Sequence, residues 1–499
     1  MELVFRENPA GCLRELAVDV IYQEETTELI VPDSYEDVQT IVDSCAVCCM
    51  RDKEVLNGSL TVSGAFQASI LYTSEETEEP RLLTAYLPFA AKLAREEIQP
   101  GATGVTELRL RSVDARILNS RKIMVRVSYA VRLTAYGAGS VTTWDTDGGE
   151  QVQLLRQTEK GTFPVAAGEK SMTFSENVEL PAVGKEIRRV LKAIPEPMLT
   201  ERRIVDNKAV LKGAVLLHTV YLLDNGQLST FDVQLPMSQY LEFDGDISDA
   251  EPRASVMLTD FQMEQAEDGS YLVTVGLQLQ VVAWKQLELP VIADGYCVGR
   301  GFQAAYGEFP IQQALDSPSQ VRTAEEKLRG KVRKLVDCTA WVDFPVCRRG
   351  EDEITVAAPL TMHALYYDDA GALCGETVKC EESGTFALAS GAVCFADADA
   401  AGSGYASMAG EETALCCGVS LTARCFGVKT ARCMKSAVLG DPLPEAADRP
   451  SLIVRRTDGS DSLWNIAKQC GTTMTAIRTA NDLTGEAVEE NLLLLIPMV

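Results

Sequence analysis

The chain has 499 residues, with 46 Lys and Arg against 72 Asp and Glu, a formal net charge of −26 and a mean hydropathy near zero. At roughly 150 residues per domain it holds about three or four domains, and so acidic a field repels nucleic-acid phosphates and anionic lipid surfaces. Only two histidines, His218 and His363, are present, which sets aside the enzyme classes that need several imidazoles as bases or metal ligands.

Within residues 1–21, Glu2, Arg6, Glu7, Arg14, Glu15 and Asp19 interrupt any apolar core of a secretory signal, so a cytoplasmic chain is expected. No run approaches the ~18 apolar residues that span a bilayer, and no membrane insertion is expected. Fifteen cysteines, an odd number, then read as mostly free thiols; ten of them fall between Cys297 and Cys433.

An internal repeat organises the chain. Val38 to Tyr72 aligns without a gap on Ile187 to Tyr221 and on Val332 to Tyr366, since 72 − 38, 221 − 187 and 366 − 332 all equal 34. Each copy opens with an i, i+3, i+4 apolar stripe: Val38, Ile41, Val42; Ile187, Val190, Leu191; Val332, Leu335, Val336. That spacing predicts a short amphipathic helix. Next, Leu60 to Tyr72, Ala209 to Tyr221 and Ile354 to Tyr366 alternate with period two and predict half-buried strands closing on tyrosine. Asp224-Asn225-Gly226 and Asp369-Ala370-Gly371 supply the turns that follow. Late strands are expected at 121–136, 270–284 and 413–426 from alternation and β-branched content.

The reading is a mainly β, multidomain chain: three tandem sandwich-like repeat domains, each with a short helix and its own core, at 1–160, 161–318 and 319–445. A βααβ module at 446–499 follows, with a short strand at Leu452–Val454, a helix capped by Asp461 or Ser462 and ended by Gly471, a second helix capped by Thr473, and a strand at Leu492–Ile496.

The tail sequence Asp461-Ser462-Leu463-Trp464-Asn465-Ile466-Ala467, then Gly471-Thr472-Thr473, Asn481-Asp482-Leu483 and Ile496-Pro497, resembles a LysM domain. The resemblance implies a βααβ fold that binds N-acetylglucosamine-containing glycans such as peptidoglycan, or a protein. Its ligand loops would fall on Ser460, Asp461, Ser462, Leu463, Trp464 and Ile466, and on Asn481, Asp482, Leu483, Thr484 and Gly485. Ser460 and Asn491 stand where that family usually has glycine.

The three copies ahead of this tail resemble the SPOCS domains of SipL-type spore coat morphogenesis proteins from endospore-forming clostridia. The residues that carry this are the early Val/Leu-Pro, the central strand closing on Tyr, the Leu87-Pro88-Phe89 and Leu235-Pro236 turns, Asn119-Ser120-Arg121-Lys122, and Leu289-Pro290-Val291-Ile292-Ala293-Asp294. The resemblance implies a structural role in sporulation, around the forespore in the mother-cell cytoplasm. It also implies that the LysM tail binds the coat-basement ATPase, the stage IV sporulation protein A.

Other constellations favour bland readings. His218 and His363 share one repeat position, since 218 − 187 and 363 − 332 both equal 31, and they are expected to be structural and in separate domains. Cys45-x-x-Cys48-Cys49 lacks a second ligand pair for zinc, and Cys416, Cys417 and Cys425 are not expected to converge. Gly299-Arg300-Gly301 reads as a turn, and Asp397-x-Asp399 with Gly402 lacks the remaining calcium ligands. No P-loop, Gly-x-Ser-x-Gly or His-Glu-x-x-His occurs. The expectation is therefore a non-enzymatic chain with no cofactor and no metal.

Overall fold

The computed structural model describes residues 2–75, 79–149, 151–182, 186–409, 412–443, 450–459, 461–485 and 488–498. The expected division at 445 and the loop residue Ser460 lie outside these.

Six strands build the first copy: β1 (Arg6–Ile30), β2 (Thr40–Leu56), β3 (Ser59–Thr73), β4 (Arg81–Ala94), β5 (Thr103–Asn119) and β6 (Lys122–Asp145). They pair antiparallel as two sheets, β2-β3-β4 and β1-β6-β5. Alternation along β3 and β6 turns Leu60, Phe66, Tyr129 and Val131 into one shared core, and this makes the pair of sheets a sandwich. The second copy repeats the plan with β7 (Val152–Val178), β8 (Ile187–Val205), β9 (Lys208–Leu223), β10 (Leu228–Glu242), β11 (Glu251–Gln265) and β12 (Tyr271–Cys297), paired as β8-β9-β10 and β7-β12-β11.

The third copy keeps the topology but breaks three of its strands. It runs β13 (Arg300–Ala314), β14 (Ser319–Lys327), β15 (Lys334–Val342), β16 (Val346–Arg349), β17 (Glu353–Tyr367), β18 (Leu373–Ala387), β19 (Ala392–Ala400), β20 (Tyr405–Ala409) and β21 (Glu412–Pro442). Pro318 and Pro345 fall in the first two interruptions and Gly402, at φ 108°, in the third. Strand pairing thus groups 6–145, 152–297 and 300–442, and we propose the divisions between those groups rather than at 160 and 318.

The tail is βααβ: β22 (Leu452–Arg456), α1 (Leu463–Cys470), α2 (Met474–Ala480) and β23 (Leu493–Pro497), with β22 and β23 antiparallel. The Ser462 hydroxyl caps α1 by accepting from Asn465 N–H, Thr473 caps α2, and Gly471 ends α1 at φ 64°. Asn491 takes the left-handed φ of 65°, which asparagine tolerates better than most residues.

Two expectations are corrected. The stripes read as short helices are strands in all three copies, and each carries a β-bulge at the same repeat position, between Ile41 and Asp43, Val190 and Lys192, and Leu335 and Asp337. The extra residue breaks period two and places two apolar residues side by side. Ile41, Val190 and Leu335 pack on the cores of their own sandwiches, while Val42, Leu191 and Val336 pack together in a cluster between copies. Second, the Leu-Pro motifs read as turns lie inside β4 and β10. Both are edge strands, where a proline without an N–H is tolerated.

The sandwiches are not beads on a string. The first and last strands of each copy run past its sandwich as a two-stranded ribbon, ending at Arg6↔Asp145, Val152↔Cys297 and Arg300↔Pro442. The ribbons share apolar clusters, one containing Leu3, Ile292, Met434 and Leu439, and another Leu289, Ile311 and Ala431. Among the described residues no helix is long and apolar enough to cross a membrane.

Candidate functional site

The bulge has a second effect at the centre of the molecule. It turns the following residue, Asp43, Lys192 or Asp337, toward the other copies, and these three occupy one repeat position because 43 − 38, 192 − 187 and 337 − 332 all equal 5. Lys192 Nζ lies 3.1 Å from Asp43 Oδ2 and 2.7 Å from Asp337 Oδ2, and all three side chains are sealed from solvent. The histidines complete the ring: His218 Nε2 is 2.8 Å from Asp337 Oδ1, and His363 Nε2 is 3.0 Å from Asp43 Oδ1. Their other ring nitrogens meet Asp232 and Thr377, again one repeat position (232 − 187 and 377 − 332 equal 45). The contacts run from copy two to copy three and from copy three to copy one. At the remaining step copy one has Ser69 in place of a histidine, and copy two has Lys192 in place of an aspartate.

The two histidines, expected in separate sites, therefore share one cluster, because the junction brings all three copies to one place. Burial works to neutralise Asp43, yet the charges of Lys192 and His363 outweigh it and hold the carboxyl at about 2. Asp337 is depressed in the same way, with burial opposed by Lys192 and His218. For Lys192 burial favours the neutral amine, but the two carboxylates win and raise its pKa above the ordinary lysine range. His218 is also raised on balance, its burial outweighed by Asp337 and Asp232. A lysine used as nucleophile or base needs a lowered pKa. Lys192 has the opposite, and Leu71, Leu191, Leu222 and Leu365 enclose the junction, so the cluster acts as an ionic fastener.

Other motifs are absorbed by contacts between copies. Asp399 Oδ1 accepts from Arg109 Nη2 at 3.0 Å and Asp397 pairs with Arg132 at 3.5 Å, so the calcium-like run is an acidic dock for arginines of the first copy. Cys45 is fully buried and its thiol is pushed up to about 12, by burial first. Among the described residues no group of His, Cys, Asp and Glu is arranged to hold a metal ion, and no cysteine is in a disulfide.

The tail has a floor that sequence reasoning missed. Trp464 Nε1 donates to Asp294 Oδ2 at 2.9 Å, and Lys468 Nζ donates to Asp294 Oδ1 and Oδ2 at 2.8 and 2.7 Å. Tyr296 stacks edge-on against Trp464 with centroids 5.0 Å apart, and its hydroxyl donates to the Thr472 carbonyl at 2.8 Å. One face of α1 is thus seated on the end of β12. In the sequence Asp294 only closes a Leu-Pro motif, and no local pattern pairs it with a tryptophan 170 residues away.

The expected loop residues separate by burial. Leu463, Trp464 and Ile466 are tail core, and Leu483 packs partly against it. Asp461 bonds Arg455 Nη2 at 2.7 Å and accepts from Asp458 N–H. Asn481 is a clamp: Nδ2 donates to the Ile477 and Leu495 carbonyls at 2.8 and 2.6 Å, and Oδ1 accepts from Leu495 N–H at 2.7 Å. Ser462, Asp482, Thr484 and Gly485 are exposed, with Asp482 left-handed at φ 51°.

Comparison with known families agrees with this anatomy. The family model described as SipL, SPOCS domain matches residues 186–265, which span β8 to β11 of the second sandwich, and the LysM domain model matches 460–497. Both are families of non-catalytic binding domains. No curated protein and no solved structure matches the chain. The first and third copies repeat the strand order and bulge of the matched one. The SPOCS-domain match in the scaffold and the LysM-domain match at the tail together fit the architecture of a SipL-type, sporulation-related protein with a LysM tail, a domain of a peptidoglycan-binding class.

Proposed function

We propose that the chain is a non-enzymatic structural adaptor of endospore coat assembly at the forespore surface in the mother cell. The LysM tail docks a coat-basement protein, the stage IV sporulation protein A, and the sandwiches serve as the assembly scaffold. One observation carries the reading: the sandwiches spend their buried charges and histidines on each other, while the tail is seated by one face of α1 and leaves Ser462, Asp482, Thr484 and Gly485 exposed. The charge distribution supports it, because residues 451–499 carry four basic and six acidic groups, so nearly all of the −26 belongs to the scaffold. Deleting 446–499 should abolish co-purification with the basement ATPase while the sandwiches keep their unfolding transition. Undiminished co-purification would refute the docking role.

The LysM match also favours a second reading, in which the same loops bind N-acetylglucosamine-containing glycan of the cortex or cell wall. Sedimentation with insoluble peptidoglycan separates the two. Retention lost on changing Asp482 and Thr484 to alanine would favour glycan; no retention alongside retained ATPase capture would favour protein.

A further inference from the structure

Strand β19 lies at a sheet edge and pairs with β21, in a register that sets Cys394 opposite Cys425. Along an antiparallel strand the N–H and C=O of one residue point to the same side, and the side alternates from residue to residue. The Cys425 carbonyl accepts from Leu315 N–H at 2.9 Å, on the flank that faces β13 and β14. Cys425 therefore spends no backbone bond on Cys394, and the two are a non-hydrogen-bonded pair. That is the closer kind, with Cα atoms about 4.5 Å apart, inside the ~4.4–6.8 Å range that a disulfide spans.

The side chains agree with the backbone. The Cys394 thiol is within hydrogen-bond reach of the Cys425 thiol. Cys425 is buried, Cys394 is half-buried at the rim of the sandwich, and a third thiol, Cys347 on β16, is exposed beside them with Ala396 N–H directed at it. The expectation that these cysteines do not converge holds for the neighbours Cys416 and Cys417, whose side chains alternate. Cys425 meets neither of them; its partner, Cys394, comes from another strand and lay outside that expectation.

We propose that Cys394 and Cys425 form a redox site that hydrogen peroxide closes to a disulfide, stapling edge strand β19 to the central strand β21. The more accessible Cys394, as thiolate, attacks the peroxide oxygen; the O–O bond breaks, Cys394 becomes a sulfenic acid, and the leaving hydroxide takes a proton to give water. The Cys425 thiolate then attacks the Cys394 sulfur, the S–S bond forms, and hydroxide leaves and is protonated to a second water. Two thiols are oxidised and the peroxide is reduced by two electrons. Burial, together with the neighbouring Cys425 thiol, pushes Cys394 up to about 12, so the thiolate is scarce and the dithiol persists until oxidant is abundant. Closure cross-links the chain within itself and leaves Cys347 free.

The test uses the full chain. Purified protein is titrated with hydrogen peroxide, remaining thiols are alkylated, and peptides are mapped by mass spectrometry without reduction. The expected result is a Cys394–Cys425 linked peptide in the monomeric fraction, lost on adding dithiothreitol and retained in Cys347→Ser. It should be accompanied by a rise of several degrees in an unfolding transition, which Cys425→Ser abolishes. The proposal is overturned if both cysteines remain alkylated at peroxide levels that oxidise Cys347, or if Cys394 is recovered linked to Cys347 or to a second chain.

Discussion

Replacing Lys192 by methionine removes the one ammonium that two buried carboxylates share. At an effective dielectric constant of about 20, an ion pair near 3 Å is worth roughly 5–6 kcal/mol before desolvation is counted. Lys192 makes two such contacts, at 3.1 and 2.7 Å, with all three side chains at most 2% exposed. Most of that attraction offsets the cost of burial, and breaking a buried pair by removing one partner typically costs about 3–5 kcal/mol net. For units of this size the loss corresponds to a fall of roughly 10 °C in Tm. Calorimetry should show the affected transition moving down and the three copies uncoupling, seen as new protease cuts between sandwiches. Neutralising the carboxylates in the same background, with Asp43→Asn and Asp337→Asn, should restore much of the loss. The sign of the pH dependence is fixed by Asp43: its folded pKa of about 2 lies below the ordinary carboxylate value, so its contribution is present above about pH 4 and lost as pH falls toward 2. The gap between wild type and Lys192→Met should therefore narrow on acidification. An unchanged Tm at neutral pH in the single variant would refute the fastener.

Four further outcomes test the anatomy. Gly375→Ala would place a Cβ 1.7 Å from the carbonyl of the bulged Val42, a backbone atom that no rotamer change can move, so a loss of ~3 kcal/mol is expected in chemical unfolding. His218 has a folded pKa above its ordinary value, so its stabilisation is full below about pH 6.5 and fades as pH rises through the folded value. His218→Gln should accordingly cost more at about pH 6 than at about pH 9 in a Tm series. Asp294→Ala should unseat α1 without unfolding the sandwiches, read as faster amide exchange over 463–470 and red-shifted tryptophan emission. Asn481→Ala removes the clamp on β23 and should lower tail stability by about 1–3 kcal/mol, measured as peptide-level exchange over 493–497.

The strands were the most legible part of the sequence. β3, β9 and β17 carry strict alternation closing on Tyr72, Tyr221 and Tyr366, all buried as the pattern implies. The tail was equally legible, since its caps and turn residues act within a few positions of one another. The short helices were misread because a bulge and a helical stripe leave the same trace: both put two apolar residues in sequence, and only the strand partner tells them apart. The LysM loop residues were half legible; their chain positions stand out, yet which of them point outward depends on the scaffold that seats α1.

The repeat with its gap-free block from Val38 to Tyr72, the β character of the copies and the βααβ tail are all legible along the chain. Those are properties of local periodicity and capping, which act over a few residues. The tertiary structure alone decided that Asp43, Lys192 and Asp337 would meet, that two histidines from different copies would share one cluster, and that Asp294 would hold Trp464. These partners stand more than a hundred residues apart, and only closure of the three sandwiches removes enough water for single charges to select one another.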